Sequence, residues 1–271
     1  MSDYGVRLER MGNIAVITLD RPDRQNAMDE HMWICFKEVA ADLKQHLPRA
    51  IVLTGAGEKA FCAGFDISLK NPLINLLAKS LETHERAPVE SLISMVRAID
   101  LLVDLPVPVI AAVNGLAYGG GAEIASRCDM RVMDPAAVIC FSEVKLGLIP
   151  DHGGSVALTR LVGPAKAADL ILTARKLGAE EALSLGVVNR ISGPGKALEE
   201  AMKLAETIAN NGPEAVRRAL KVIRKTPDLS YMDALEMESQ EAIDLILTGE
   251  CVHGISAFLE RRKPEFPDPA E

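Results

Sequence analysis

The chain has 271 residues, 48% of them hydrophobic and 25% charged, with 38 acidic against 30 basic side chains and a formal net charge of −8. That composition excludes a disordered chain, and the length is ample for one large core with or without an appendage. The acidic balance repels a phosphate backbone, so nucleic acid is not expected as the main partner, although a few converging cations could still hold a small anionic ligand.

Two apolar, β-branched runs open the chain. Ile14-Ala15-Val16-Ile17-Thr18-Leu19 stops at Asp20-Arg21-Pro22, and Ala50-Ile51-Val52-Leu53-Thr54 stops at Gly55-Ala56-Gly57; both read as buried strands. Between them, residues 29–47 carry Met32, Phe36, Val39 and Leu43 at helical spacing. Strand, helix, strand implies a parallel or mixed sheet covered by helices. Residues 68–91 have no sharp period, and a helix or loop lining a pocket is as compatible with them as a buried helix. Residues 92–105 read as one helix (Val96, Ile99, Leu102, Val103). Val109 to Val113 reads as a strand stopping at Asn114-Gly115, and residues 122–128 as a helix. Residues 131–133 and 138–141 read as two short strands. Repetition of a strand–strand–helix unit would wind the chain into a spiral.

Strand signals end near Gly195, where a boundary is expected. Beyond it, Leu198, Met202, Ala205 and Ile208 form one helical stripe. Val216, Leu220 and Ile223 form a second, and Met232, Leu235 and Ile243 a third; residues 255–262 read as a last, apolar and basic helix. These helices are too few to fold alone, so they are expected to pack on the core or on another subunit. The five cysteines are odd in number and far apart, without Cys/His clusters, and read as reduced thiols rather than disulfides or a metal site. No basic region followed by an apolar run opens the chain. The apolar stretch 105–113 holds Pro106 and Pro108 and is too short to span a bilayer, so a cytoplasmic protein is expected.

Two glycine loops follow strands. Gly55-Ala56-Gly57-Glu58-Lys59-Ala60 resembles a dinucleotide-binding turn, but that turn needs a helix directly after it and an acidic residue about 20 positions on. Gly64 follows instead, and no suitable acid is present, so no nucleotide cofactor is expected. In the second loop, Gly119-Gly120-Gly121 runs into the helix carrying Glu123. Such a run exposes backbone N–H groups at the positive end of a helix, a geometry suited to a developing negative oxygen; taken alone it also fits a simple tight turn.

Together the loops are more specific. Ala60-Phe61-Cys62-Ala63-Gly64-Phe65-Asp66-Ile67, then Asn114-Gly115 and Gly119-Gly120-Gly121-Ala122-Glu123, resemble the crotonase (enoyl-CoA hydratase/isomerase) family. Leu19-Asp20-Arg21-Pro22, Asn26-Ala27-Met28, Gly147-Leu148-Ile149-Pro150, Gly153-Gly154 and residues 258–263 extend the resemblance over nearly the whole chain. It implies an α/β fold, a spiral of repeated ββα units in residues 1–195, with a C-terminal helical oligomerisation region in residues 196–271 and a trimer or dimer of trimers. It also implies an oxyanion hole from the N–H groups of Phe65 and Gly120, with Ala63, Asp66, Ile67 and Gly119 along the acyl-CoA thioester. Arg24 would meet the CoA phosphates, and Arg261 and Lys263 the nucleotide end of a CoA in a neighbouring subunit. Coenzyme A would be part of the substrate, with no further cofactor and no metal.

By the same resemblance, the acidic residues choose the reaction. Glu123 and Glu143, twenty positions apart, match the pair of the family's hydratases. Two carboxyls facing one pocket resist joint ionisation, so the pair offers one acid and one base to a single water. Hydration of an enoyl-CoA is therefore expected, with Glu123 activating water and Glu143 exchanging a proton at Cα. Asp151, eight residues after Glu143, departs from the simple hydratase pattern and matches dienoyl-CoA isomerases, which makes isomerisation through Glu143 and Asp151 the alternative. His152 would be either a partner of Asp151 or a satisfied loop histidine. A non-catalytic acyl-CoA-binding or RNA-binding relative is the alternative of another class; the net charge argues against RNA and the paired glutamates against a relic.

Overall fold

The computed structural model describes residues 4–268. Strands β1 (Gly5–Met11) and β2 (Ile14–Asp20) form an antiparallel hairpin. Helix α1 (Glu30–Gln45) starts where the Asp29 carboxylate accepts the N–H of Met32 at 3.0 Å, as an N-cap should. It buries Met32, Trp33, Phe36 and Leu43. Strand β3 (Ala50–Gly55) then lies parallel to β2, and the short β4 (Ala60–Cys62) leaves that sheet to begin a second. The glycine turn 55–60 thus runs into a strand and not into a helix.

Residues 68–91, silent in the sequence, hold α2 (Pro72–Thr83), capped by Asn71 and opened by Pro72, and the start of α3 (Arg86–Val96). The single helix expected over residues 92–105 is broken instead into the end of α3 and a separate α4 (Ile99–Val103). Leu92, Val96, Ile99 and Leu102 are all buried on either side of the break, so apolar spacing ran straight through a turn that no glycine or proline marks.

Two further units repeat the pattern. Strands β5 (Val109–Val113) and β6 (Leu116–Tyr118) precede α5 (Gly120–Arg127), and β7 (Met130–Met133) and β8 (Val138–Cys140) precede α6 (Gly154–Thr173). Helix α6 bends at Gly163, which has a positive φ of 78° just before Pro164. Short β9 (Leu177–Gly178), α7 (Ala179–Ser184) and β10 (Arg190–Ile191) complete the sheets. The first strand of each unit enters a six-stranded sheet of order β1-β2-β3-β5-β7-β10, and the second enters a four-stranded sheet of order β4-β6-β8-β9. This alternation is the spiral. Because β4, β6 and β8 are adjacent and parallel, the segments leaving their C-terminal ends open on one side of the molecule.

Helices α8 (Ala197–Ala209), α9 (Pro213–Lys225), α10 (Tyr231–Thr248) and α11 (Glu250–Leu259) follow. The buried face of α8 is Ala197, Ala201, Leu204 and Ala205, which covers Val16, Val52, Ile110 and Val132 of the large sheet; of the expected stripe Ala205 is buried, Met202 and Ile208 pack at its edge and Leu198 is exposed. Small alanines let the helix lie close on the strands, so the first helix past residue 195 forms a layer of the same core. By contrast, α10 and α11 expose Tyr231, Leu247, Phe258 and Leu259. Among the described residues no single helix is long and apolar enough to cross a membrane.

Candidate active site

Three turns converge at the ends of β4, β6 and β8. After β4, Gly64 takes a positive φ of 91° and its N–H donates to the Cys62 thiol at 3.3 Å, while Cys62 Sγ donates to Asn26 O at 3.2 Å. Burial pushes that thiol up to about 12, so it remains a neutral structural group. Main-chain bonds from Met28 N to Gly64 O and from Asp66 N to Met28 O hold the residues on either side of Phe65 to the neighbouring segment, which turns the Phe65 N–H the other way. After β6, Gly119 has a positive φ of 51° and caps α5, leaving the Gly120 N–H in the first turn without an intrahelical acceptor. Among the described residues neither the Phe65 nor the Gly120 N–H donates to any acceptor. The two loops touch: a Cβ on Gly64 would stand 2.9 Å from Gly120 N and 2.7 Å from Tyr118 O.

Glu123 projects from the first turn of α5 and is 1% exposed. Its Oε2 accepts the N–H groups of His152 and Gly154, each at 2.8 Å, at the N-terminus of α6. A Cβ on Gly154 would overlap Glu123 Cγ, so the sequence needs glycine there. Oε1 has no protein partner, and neither has either carboxyl oxygen of Glu143, which opens the 3₁₀ turn Glu143–Leu146 after β8. The two carboxyls are close enough for the charge of Glu143 to bear on Glu123. Burial is the main force holding both well above the usual carboxylate range. At Glu123 the N–H of Gly154 opposes this and the charge of Glu143 adds to it, so the two carboxyls do not ionise independently.

His152 is 4% exposed, packs edge-on against Trp33 at 5.4 Å between ring centres, and keeps Nδ1 unpartnered. Its Nε2 lies 3.3 Å from Asp151 Oδ1. Desolvation, aided by the nearby Arg127 charge, pushes it down to about 4, so it is a neutral imidazole at physiological pH. It is therefore not the satisfied loop histidine that the sequence left open: the ring fills the space beside Gly120, where a Cβ would meet it at 2.6 Å.

A cavity of about 600 Å³ reaches most of these groups, although Glu123 is not among the residues that line it. Phe65, Gly119, Gly120, Glu143, Asp151 and His152 line its inner end. Ile74, Leu77 and Val89, from the stretch that had no readable period, join Leu92, Ile93 and Val96, from the helix expected next, in an apolar wall. Ala63, Asp66 and Ile67 also line it, and Arg24, exposed after the 3₁₀ turn Pro22–Arg24, stands at its margin. The Asp66 carboxylate is bound to Arg21 at 2.7 Å and to Ser68 N at 2.8 Å, so its side chain fastens the loop. Arg261 and Lys263 do not line this cavity; Lys263 Nζ donates to Asn210 at 3.1 Å. Sequence reading missed the clamps behind the loops. Asn26 donates to Ala56 O and Ala60 O, and Asn114 donates to Gly55 O and Gly57 O. Asn114 precedes Gly115, but Asn26 has no glycine near it in the sequence.

A spiral of ββα units that sets two unpaired amides and the Glu143 carboxyl on an apolar pocket, with the Glu123 carboxyl buried close to Glu143, is built to polarise a carbonyl and move protons beside it. The profile described as enoyl-CoA hydratase/isomerase matches residues 9–269, and the chain belongs to that family. A short-chain-enoyl-CoA hydratase of Clostridium acetobutylicum is 37% identical over 262 residues, which is 96% of this chain and 96% of the relative. A carnitinyl-CoA dehydratase of Salmonella arizonae is 36% identical over 267 residues, covering 96% and 97%. The crystal structure of an enoyl-CoA hydratase from Bacillus anthracis superimposes with a TM-score of 0.87 at 33% identity, covering 96% of this chain and 98% of that one. Crotonase fold and family are thereby established.

Proposed function

We propose that the protein adds water across the α,β double bond of an enoyl-CoA thioester. The observation that carries this reading is the trio of unpartnered carboxyl oxygens, Glu123 Oε1 and both of Glu143, buried beside the free amides of Phe65 and Gly120. Buried acceptors without donors are costly; a single water can donate one hydrogen to each glutamate, and the proton shared by the pair occupies the remaining oxygen. The thioester oxygen accepts the two amides, which stabilise the enolate-like charge as water attacks Cβ. In the reactive state the shared proton sits on Glu143. Glu123, its Oε2 anchored by two N–H groups, takes a proton from water through Oε1, and Glu143 gives its proton to Cα. A proton shift from Glu123 to Glu143 across the pair then resets the site.

In this reading CoA leaves the pocket past Arg24, and Arg261 and Lys263 serve the nucleotide end in a neighbouring subunit. The exposed apolar faces of α10 and α11 would meet such a neighbour in a trimer or hexamer. Isomerisation of a dienoyl-CoA is the second reading, favoured by the Asp151 carboxyl, which lines the cavity with Glu143 and approaches within 4.8 Å of Glu123. Incubation with crotonyl-CoA in oxygen-labelled water separates them. Hydration places the label in a β-hydroxyl and bleaches the conjugated thioester absorbance. Conversion of a 3,5-dienoyl-CoA to its conjugated isomer, with no label taken up from either substrate, would establish isomerisation instead.

A further inference from the structure

Two aspartates line the cavity, and they differ in one respect. Asp66 is neutralised by Arg21 at 2.7 Å, whereas Asp151 has no lysine or arginine in ion-pair range among the described residues. Its recorded ion-pair contact is His152 Nε2 at 3.3 Å, and that imidazole is buried and neutral. A neutral ring orients a carboxyl without cancelling its charge. The other groups facing Asp151 are Glu123, within 4.8 Å, and Glu143, both acidic. Leu146, Leu148 and the apolar face of α2 and α3 line the same cavity, together with Ser68, Ser142 and Arg24. Asp151 lines the cavity and its side chain is 40% exposed, so its carboxyl is accessible to a ligand there. A plain hydrocarbon chain lying there would strip water from the carboxyl and return no donor, which is unfavourable.

We propose that Asp151 selects acyl-CoA substrates carrying a hydrogen-bond donor, a hydroxyl or an ammonium, on the carbon next to Cβ. The position follows from the proximity to Glu123. The water that attacks Cβ sits between Glu123 and Glu143, so a carboxyl that close to Glu123 meets the acyl chain one carbon further out. This inference rests on the hydratase reading and names the substrate class of the same site.

The test compares kcat/KM for γ-hydroxycrotonyl-CoA, γ-methoxycrotonyl-CoA and crotonyl-CoA. The methoxy compound retains the oxygen and lacks the donor. Wild-type protein is expected to prefer hydroxy over methoxy by about 10–100-fold, the effect of one hydrogen bond to a charged acceptor. Asp151→Ala should bring that ratio close to one, and Asp151→Asn, which can still accept, should fall between. Equal wild-type constants for the two compounds would overturn the proposal without any variant being needed. So would a ratio that stays the same in Asp151→Ala, or dienoyl-CoA isomerisation that depends on Asp151. Failure of the wild type to hydrate all three would instead strike the hydratase reading.

Discussion

Glu123→Gln is expected to lower kcat by about 10²–10⁴-fold while leaving substrate affinity nearly unchanged. The amide is the same size as the carboxyl, and its oxygen can accept the N–H groups of His152 and Gly154 that now hold Oε2 at 2.8 Å. The NH₂ group then takes the place of Oε1, which faces Glu143, and can neither accept a proton from water nor share one with its neighbour. The loss belongs to proton transfer and not to folding. Steady-state kinetics with thermal denaturation of the same samples checks this: a variant of full activity, or one that loses activity only by unfolding, contradicts the role given to Glu123.

The second large effect is expected at Gly64. The residue sits at a φ of 91°, a region where an L side chain is strained, and any Cβ would press on Tyr118 O at 2.7 Å and Gly120 N at 2.9 Å. Both contacts are main chain, so relief requires the β4 and β6 turns to move apart. That movement displaces the two amides proposed to hold the thioester oxygen. Gly64→Ala should therefore cost about 10²–10³ in kcat, the effect of losing one donor. Strain and overpacking of this kind add a destabilisation of about 1–3 kcal/mol, visible as a lowered Tm. Kinetics of the folded fraction separates the two consequences; unchanged kcat in soluble protein would show that the loops do not act together.

What the sequence disclosed follows from the range over which each signal acts. The strands around Ile14–Asp20, Ala50–Gly55 and Val109–Val113 were legible because strands buried on both faces are continuous apolar runs. Strands β4 and β6 were not, because three residues next to glycines hold too little pattern to be told from a loop. Alanine hid the face of α8, since hydrophobic periodicity weights large side chains and close packing on a sheet wants small ones. Within the site, Glu123, Glu143 and the glycine loops were named from motif spacing, yet their common destination depends on β4, β6 and β8 being neighbours, which is a long-range property. His152 illustrates the limit. A histidine in Pro150-Asp151-His152-Gly153 reads as a loop residue, and only the packing of Trp33 from α1 shows that its ring is enclosed beside Gly120. The wall formed by α2 and α3 was unreadable for a related reason: its apolar side chains face a cavity on one side and the core on the other, so no single stripe emerges.

The central claim is that Glu123 and Glu143 work on one water as a unit. A double-mutant cycle with Glu123→Gln, Glu143→Gln and the pair tests it directly through kcat for enoyl-CoA hydration. Residues sharing one proton and one water should give a double variant hardly slower than the worse single variant. Losses that multiply across the two sites would contradict it, because each carboxyl would then be acting alone.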